Sequence, residues 1–201
     1  MRKAQDLVGR DVISQTTGER LAMVRDVLFD NEAHQVVALL VDTGGWFSEA
    51  KVIQWQAVVS AGDVIVVSGA TPVGLIKNDP VISELLQVER PMIGNTLISS
   101  GGEEIGSVGA LFIDDAGRVV GYEVKQGFIS DLGGRKFLPV GDVHAVGKDA
   151  IIADAAHLVA LKDMERDDRA AQQATEHVAQ IAEAPRGDDV NRSDVEGAKI
   201  G

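Results

Sequence analysis

The sequence predicts an all-β chain of two tandem small antiparallel β-barrels, with a short linker helix between them and a C-terminal helix plus flexible tail. Three observations predict it. Residues 7–68 are written a second time, loosely, at 92–154, which is the signature of one small domain repeated. Inside each copy the hydrophobic period is two, the period of strands, and not 3.6. Helix-forming composition falls outside the copies, in 76–87 and again in 155–184.

The first copy runs LVGRDVIS, TGERLAMVRDVLFD, HQVVALLVD and KVIQWQAVVSAGDVIVVS; the second runs MIGNTLIS, GGEEIGSVGALFID, RVVGYEVKQ and KFLPVGDVHAVGKDAIIAD. Gly9 matches Gly94, Gly18 matches Gly102, Asp30 matches Asp114, Lys51 matches Lys136 and Asp63 matches Asp149, so the offset drifts only between 84 and 86. Such steadiness means two complete copies. The boundaries read as 1–72 for barrel one, 73–90 for a linker with a short helix, 91–154 for barrel two, 155–184 for a helical segment and 185–201 for a tail. Fused copies often keep the isologous contact of an ancestral homodimer, which predicts packing through related faces with approximate two-fold pseudosymmetry.

In order along each copy, Leu21 to Asp30 is expected to be a strand presenting 21, 23, 25, 27 and 29 on one face, and Ile105 to Ile113 its counterpart presenting 105, 107, 109, 111 and 113. Glycine and serine in mid-strand suggest a strongly bent strand, as a closed barrel requires. The turns DNEAHQ and DDAGR, rich in residues that bond their own backbone, lead at once into Val36–Val41 and Val119–Val124 and read as hairpins. Val64–Val67 and Ala150–Ala153 close each unit of five or six strands, a wrapping that also removes exposed edges. Between the copies, Asp79 as N-cap and Pro80 at the first helical position start a short helix that continues to Gln87. After Ala155, Leu158, Leu161 and Met164 are spaced three apart, and Val178 and Ile181 resume the pattern until Pro185 stops it. The last stretch, APRGDDVNRSDVEGAKIG, is too polar to repay its ordering entropy. Deleting 186–201 is therefore expected to leave the melting temperature within about 2 °C of the parent, a shift well under about 1 kcal/mol.

Composition narrows function. A formal net charge of −12 over 201 residues opposes a phosphate backbone, so no nucleic-acid partner is expected. Zero cysteines remove disulfides, thiolate zinc sites, iron–sulfur clusters and cysteine nucleophiles, and are compatible with a reducing cytoplasm. No apolar run has the length of a signal peptide or of a membrane span, so the expected location is cytoplasmic.

The order "Φ-G, strand, glycine turn, strand ending in Asp, hairpin, glycine-rich loop, K-Φ-Φ-P, G-D-x-Φ-Φ" occurs twice, at about 6–70 and 91–156, and resembles the PRC-barrel superfamily. That family includes the cytoplasmic domain of the photosynthetic reaction-centre H subunit and the C-terminal domain of the ribosome maturation factor RimM. Copy two keeps the family proline in Phe137-Leu138-Pro139-Val140; copy one has Gln54 there and keeps a tryptophan as Trp55. The resemblance implies a small barrel that docks onto other proteins and has no characteristic catalytic residue.

Candidate chemistry is thin. His34, His144, His157 and His177 show no i, i+4 pairing and read as surface or packing residues. Asp30-Asn31-Glu32 and Asp114-Asp115 sit at equivalent turns, but one turn offers too few oxygens for calcium and hairpin chemistry already explains them. Gly44-Gly45 and Gly133-Gly134 lack the context of a phosphate loop. No cofactor, metal or catalytic residue is assigned. The partner-binding candidates are Trp46 and Phe47 in GGWFSEAK and their counterparts Phe128 and Ile129 in GFISDLGGRK; such side chains either plug a barrel end, close the seam between barrels, or wait for a partner. The expected function is a non-enzymatic protein–protein docking or assembly adaptor, serving a membrane-associated or photosynthetic complex through peripheral association, with self-association as a further expectation. The alternatives are a ribosome maturation factor like RimM and, third, a small metal-dependent binding protein or enzyme.

Overall fold

The structure, a computed structural model, describes residues 1–32, 34–44, 51–69, 73–87, 92–125, 135–164, 166–169 and 173. Met1–Glu165 forms one compact unit and Arg166–Gly201 a second; within the second, 166–169 are helical. The first unit opens with β1 (Arg2–Lys3) and a 3-10 turn, Ala4–Leu7. Barrel one follows as β2 (Asp11–Ser14), β3 (Arg20–Asp30), β4 (Gln35–Asp42), β5 (Lys51–Gln54), β6 (Val58–Ala61), β7 (Ile65–Val67) and β8 (Val73–Leu75), then helix α1 (Pro80–Gln87). Barrel two is β9 (Thr96–Ser99), β10 (Glu104–Ile113), β11 (Val119–Lys125), β12 (Lys136–Pro139), β13 (Val143–Val146), β14 (Ala150–Ala153) and β15 (Val159–Ala160).

The two sheets have the same order, β6-β7-β2-β3-β4-β5-β8 and β13-β14-β9-β10-β11-β12-β15. Matching registers follow: Lys51 faces Leu75 across β5 and β8, and Lys136 faces Ala160 across β12 and β15. All pairs are antiparallel except one in each barrel, β2 with β7 and β9 with β14, which run parallel. The segments expected outside the barrels thus each contribute a strand, β8 from 73–90 and β15 from 155–184. Residues 155–160 are accordingly not helical; helix begins at Leu161.

The long strand of each copy does not keep one face throughout. Each is interrupted by a bulge at the same place: Val24 pairs with Val41 but Asp26 with Leu40, skipping Arg25, and Val108 pairs with Val124 but Ala110 with Glu123, skipping Gly109. An extra residue reverses side-chain parity beyond it. The residues built into the shared core are therefore Ala22, Val24 and then Val27 in copy one, and Ile105, Val108, Leu111 and Ile113 in copy two, while Ala110 and Phe112 of the same strand are also buried. This corrects part of the expected faces: Ala22 and Val24, not Met23 and Arg25, are buried in copy one, whereas Val27 of copy one and Ile105, Leu111 and Ile113 of copy two lie in the core as expected.

One buried cluster runs through both barrels, from Val12, Leu39, Ile53 and Ile65 to Leu97, Tyr122, Leu138 and Ile151, with Ala4 and Leu7 of the N-terminal turn built into it. A shared core suits two units that would each be marginal alone. Burial without a partner for its hydroxyl raises the pKa of Tyr122 well above the ordinary phenol range. On the outside of barrel one, Ile82 of α1 covers Ala38 and Val52; on the outside of barrel two, Leu161 covers Phe112 and Phe137, whose rings meet edge-on at 5.6 Å.

Helix α1 starts as the sequence predicts: the Ile82 amide donates to the Asp79 carboxylate at 3.1 Å. That bond, with another from the Gln54 amide, holds the Asp79 carboxyl below the ordinary carboxylate range. A lowered folded-state pKa means stability that is fully present above the unfolded value and lost as pH falls through the folded one. Asp79→Ala is expected to cost about 1 kcal/mol at neutral pH, and the difference from the parent should shrink as pH is lowered from 5 toward 3 in urea unfolding experiments.

Candidate docking site

The two copies meet through a pair of turns. Gln35 and Arg118, which occupy equivalent positions 83 residues apart, face each other in an isolated antiparallel bridge. The Val36 amide donates to the Gly117 carbonyl at 2.8 Å and the Val119 amide donates to the His34 carbonyl at 2.8 Å. These bonds are reciprocal between equivalent residues, so a local two-fold axis passes between Gln35 and Arg118. Pseudosymmetric packing through related faces, expected from the repeat, is what joins the barrels here.

The N-terminal segment adds an exchange. β1 precedes copy one in the chain, yet it pairs with β10 of copy two, Arg2 opposite Ile113 and Lys3 opposite Phe112. Arg2 forms an ion pair with Asp115. Lys3 reaches the Glu123 carboxylate at 2.5 Å, where that side chain is only 3% exposed, with Arg135 at 3.4 Å on its other oxygen. The Gln5 side-chain oxygen then accepts the Leu111 amide at 3.3 Å, taking up a backbone donor of the bulged strand.

Beside this crossing lies a groove of about 590 Å³ that straddles the two copies. Its apolar wall includes Val8 with its counterpart Ile93, and Val27 with its counterpart Leu111, joined by Leu86 from the end of α1. The sequence places Val8 and Ile93 there for a simple reason. Leu7 and Met92 turn into the core, and the next residue of each turn, Val8 and Ile93, is left facing outward. Gly9 and Gly94 then return the chain to the barrel, their amides donating to Val24 and Val108 at 2.8 Å. Val8, Ile93 and Leu86 are left 46%, 45% and 39% exposed in one place. Asp26 lines the same groove, and an adjoining depression of about 350 Å³ is lined by Asp30, Glu32 and Glu84 around Phe29 and Leu85. No lysine or arginine is among the described residues lining either.

Trp46, Phe47, Phe128 and Ile129 lie outside the described residues, as does His177. The other histidines are not brought together: His157 meets Asp142 at 3.0 Å, His144 lies 3.7 Å from Asp154, and His34 sits at the seam. Among the described residues no group of three or more His, Cys, Asp or Glu side chains could hold a metal ion. Asp114 is occupied with Arg118, whose hydrogen bonds outweigh the effect of burial and hold its carboxyl below the ordinary range. No described helix is long and apolar enough to cross a membrane.

Sequence reasoning missed the groove, although the repeated Φ-Φ-Gly of Leu7-Val8-Gly9 and Met92-Ile93-Gly94 carried its signal: of two adjacent apolar residues, only one can face the core. Comparison with known proteins agrees with the double architecture. An uncharacterized protein of Clostridium acetobutylicum is 34% identical over 65 residues, which is 29% of this chain and 75% of that protein. The family profile of the PRC-barrel domain matches twice, at residues 1–71 and 90–159, and the chain belongs to the PRC-barrel family, with two of its domains in tandem.

Proposed function

We propose that this chain is a non-enzymatic docking module, an adaptor that binds other proteins in the cytoplasm through the groove between its two barrels. The observation that carries the reading is the gathering of Val8, Leu86 and Ile93, each more than a third exposed, on one concave surface. Scattered surface valines and leucines need no explanation, whereas a concave apolar cluster with a polar rim is the anatomy of a protein interface. The net charge of −12 supports a protein partner over ribosomal RNA, which sets this reading ahead of ribosome maturation.

A photo-crosslinking amino acid placed at Leu86, and as a control at the exposed Lys148, tests it in the native cell. Discrete protein adducts at position 86 with none at 148 are expected. Equal labelling at both positions, or no adduct at either, would count against a docking groove.

A further inference from the structure

We propose that the Leu28–Phe29 edge of β3 accepts a basic, extended segment of a partner protein by strand addition; this rests on the docking reading of the same groove. The template for it is inside the molecule. In copy two, the edge of β10 at Phe112 and Ile113 is occupied by β1, an extended segment whose two residues are Arg2 and Lys3, each held by a carboxylate. The counterparts of Phe112 and Ile113 in copy one are Leu28 and Phe29, and both line the groove.

On β3, β4 takes one edge, with Leu28 opposite Ala38 and Phe29 opposite Val36. On the other edge β2 pairs only as far as Met23, and no described strand continues beyond it. Backbone donors and acceptors of an extended strand alternate between its two edges, so this stretch presents groups suited to a further strand. Strand addition draws affinity from main-chain hydrogen bonds and selectivity from pockets for alternate side chains. Here the alternate positions differ in kind. An apolar floor of Val8, Val27 and Ile93 lies beside Asp26, with Asp30 and Glu84 in the adjoining depression. That surface complements a segment alternating aliphatic and cationic residues, and its described lining contains carboxylates but no lysine or arginine.

The test uses the full chain and three fluorescein-labelled hexapeptides followed by anisotropy: Val-Lys-Val-Arg-Val-Lys, the same peptide with alternate amides N-methylated, and Val-Glu-Val-Glu-Val-Glu. The first is expected to bind, N-methylation to weaken it at least about tenfold by removing ladder donors, and the acidic peptide not to bind. Asp26→Lys combined with Glu84→Lys should weaken the first peptide by about tenfold or more; the N-methylated probe leaves the protein unaltered, so the conclusion survives if that variant folds poorly. Equal binding of the N-methylated peptide, lost on Leu86→Asp, would overturn strand addition while leaving a docking groove in place. Binding by none of the peptides overturns the proposal, and crosslinked adducts at position 86 then decide whether docking itself survives. A dimer in sedimentation that the basic peptide does not dissociate assigns the edge to a second copy and likewise overturns it.

Discussion

Gly117→Ala is expected to destabilise the fold by about 3 kcal/mol or more, roughly twice the cost of Gly94→Ala, because two separate penalties coincide at the seam. Both glycines have positive φ, +79° and +85°, where a Cβ costs about 1–2 kcal/mol. They differ in what that Cβ would meet. At Gly94 nothing lies within 4 Å, whereas at Gly117 it would lie 2.3 Å from Nε1 and 2.6 Å from Cε2 of the Trp55 indole. Trp55 is itself only 8% exposed and belongs to the core cluster shared by both barrels, so moving it adds an overpacking cost of about 1–3 kcal/mol. The same position in copy one is His34, at φ +50°; the counterpart of Trp55 in copy two is Val140, a smaller side chain, which fits the presence of a Cβ there. Urea unfolding of the two variants checks this. Equal losses would show that Trp55 yields freely and that the reciprocal turn contact constrains little.

The repeat and the strand period were legible in the sequence because both are written over many residues. Short apolar runs at Val36–Val41, Ile65–Val67 and Ala150–Ala153 mark strands by their length and β-branched content, and a repeated domain announces itself through coincident positions running from Gly9 and Gly94 to Asp63 and Asp149. What was not legible depended on single residues. Nothing in LAMVRDVLF marks Arg25 as the bulged residue that reverses the face of everything after it, although Gly109 at the same place in copy two is a residue type common at bulges. β8 and β15 have three and two residues, too short for any period to register. β1 is harder still. Its place on β10 is fixed by pairings of Arg2 with Ile113 and Lys3 with Phe112, far away in the chain, and its own sequence, Arg-Lys, reads as a solvated terminus.

The site was less legible than the fold, for a related reason. Aromatic residues in glycine loops stand out in a sequence, so Trp46, Phe47, Phe128 and Ile129 drew attention. Val8 and Ile93 do not stand out, because each belongs to an apolar pair whose inner member accounts for it. Only the fold shows that the outer members and Leu86, distant in the chain, converge on one groove. Copy-to-copy comparison adds one difference: where copy two buries the carboxylate of Glu123 against Lys3, copy one has Leu40 at the matching position.

That difference predicts the second large effect. Lys3→Val is expected to cost about 3 kcal/mol, since it strips the closer cation from a carboxylate that is 3% exposed, and an uncompensated buried charge is among the most expensive single changes. Arg135 remains, but at 3.4 Å and two-thirds exposed it recovers only part of the loss. Glu123→Leu alone should cost less, because the Lys3 ammonium, 22% exposed, can turn toward water. Combining Lys3→Val with Glu123→Leu replaces the pair by two apolar side chains, leucine being what copy one carries at the position matching Glu123, Leu40. Replacing a buried pair with apolar groups of similar volume is often neutral or stabilising, so the double variant should return to within about 1 kcal/mol of the parent. A chemical-denaturation cycle over the four proteins measures the coupling directly. If Lys3→Val alone costs less than about 1 kcal/mol, β1 is held by its ladder bonds and the Met1 and Ala4 contacts, and the charge pair is dispensable to the exchange. If the double variant instead loses as much as Lys3→Val, the pair is needed for the geometry of the crossing itself, because burial of two apolar side chains would then have failed to substitute for it.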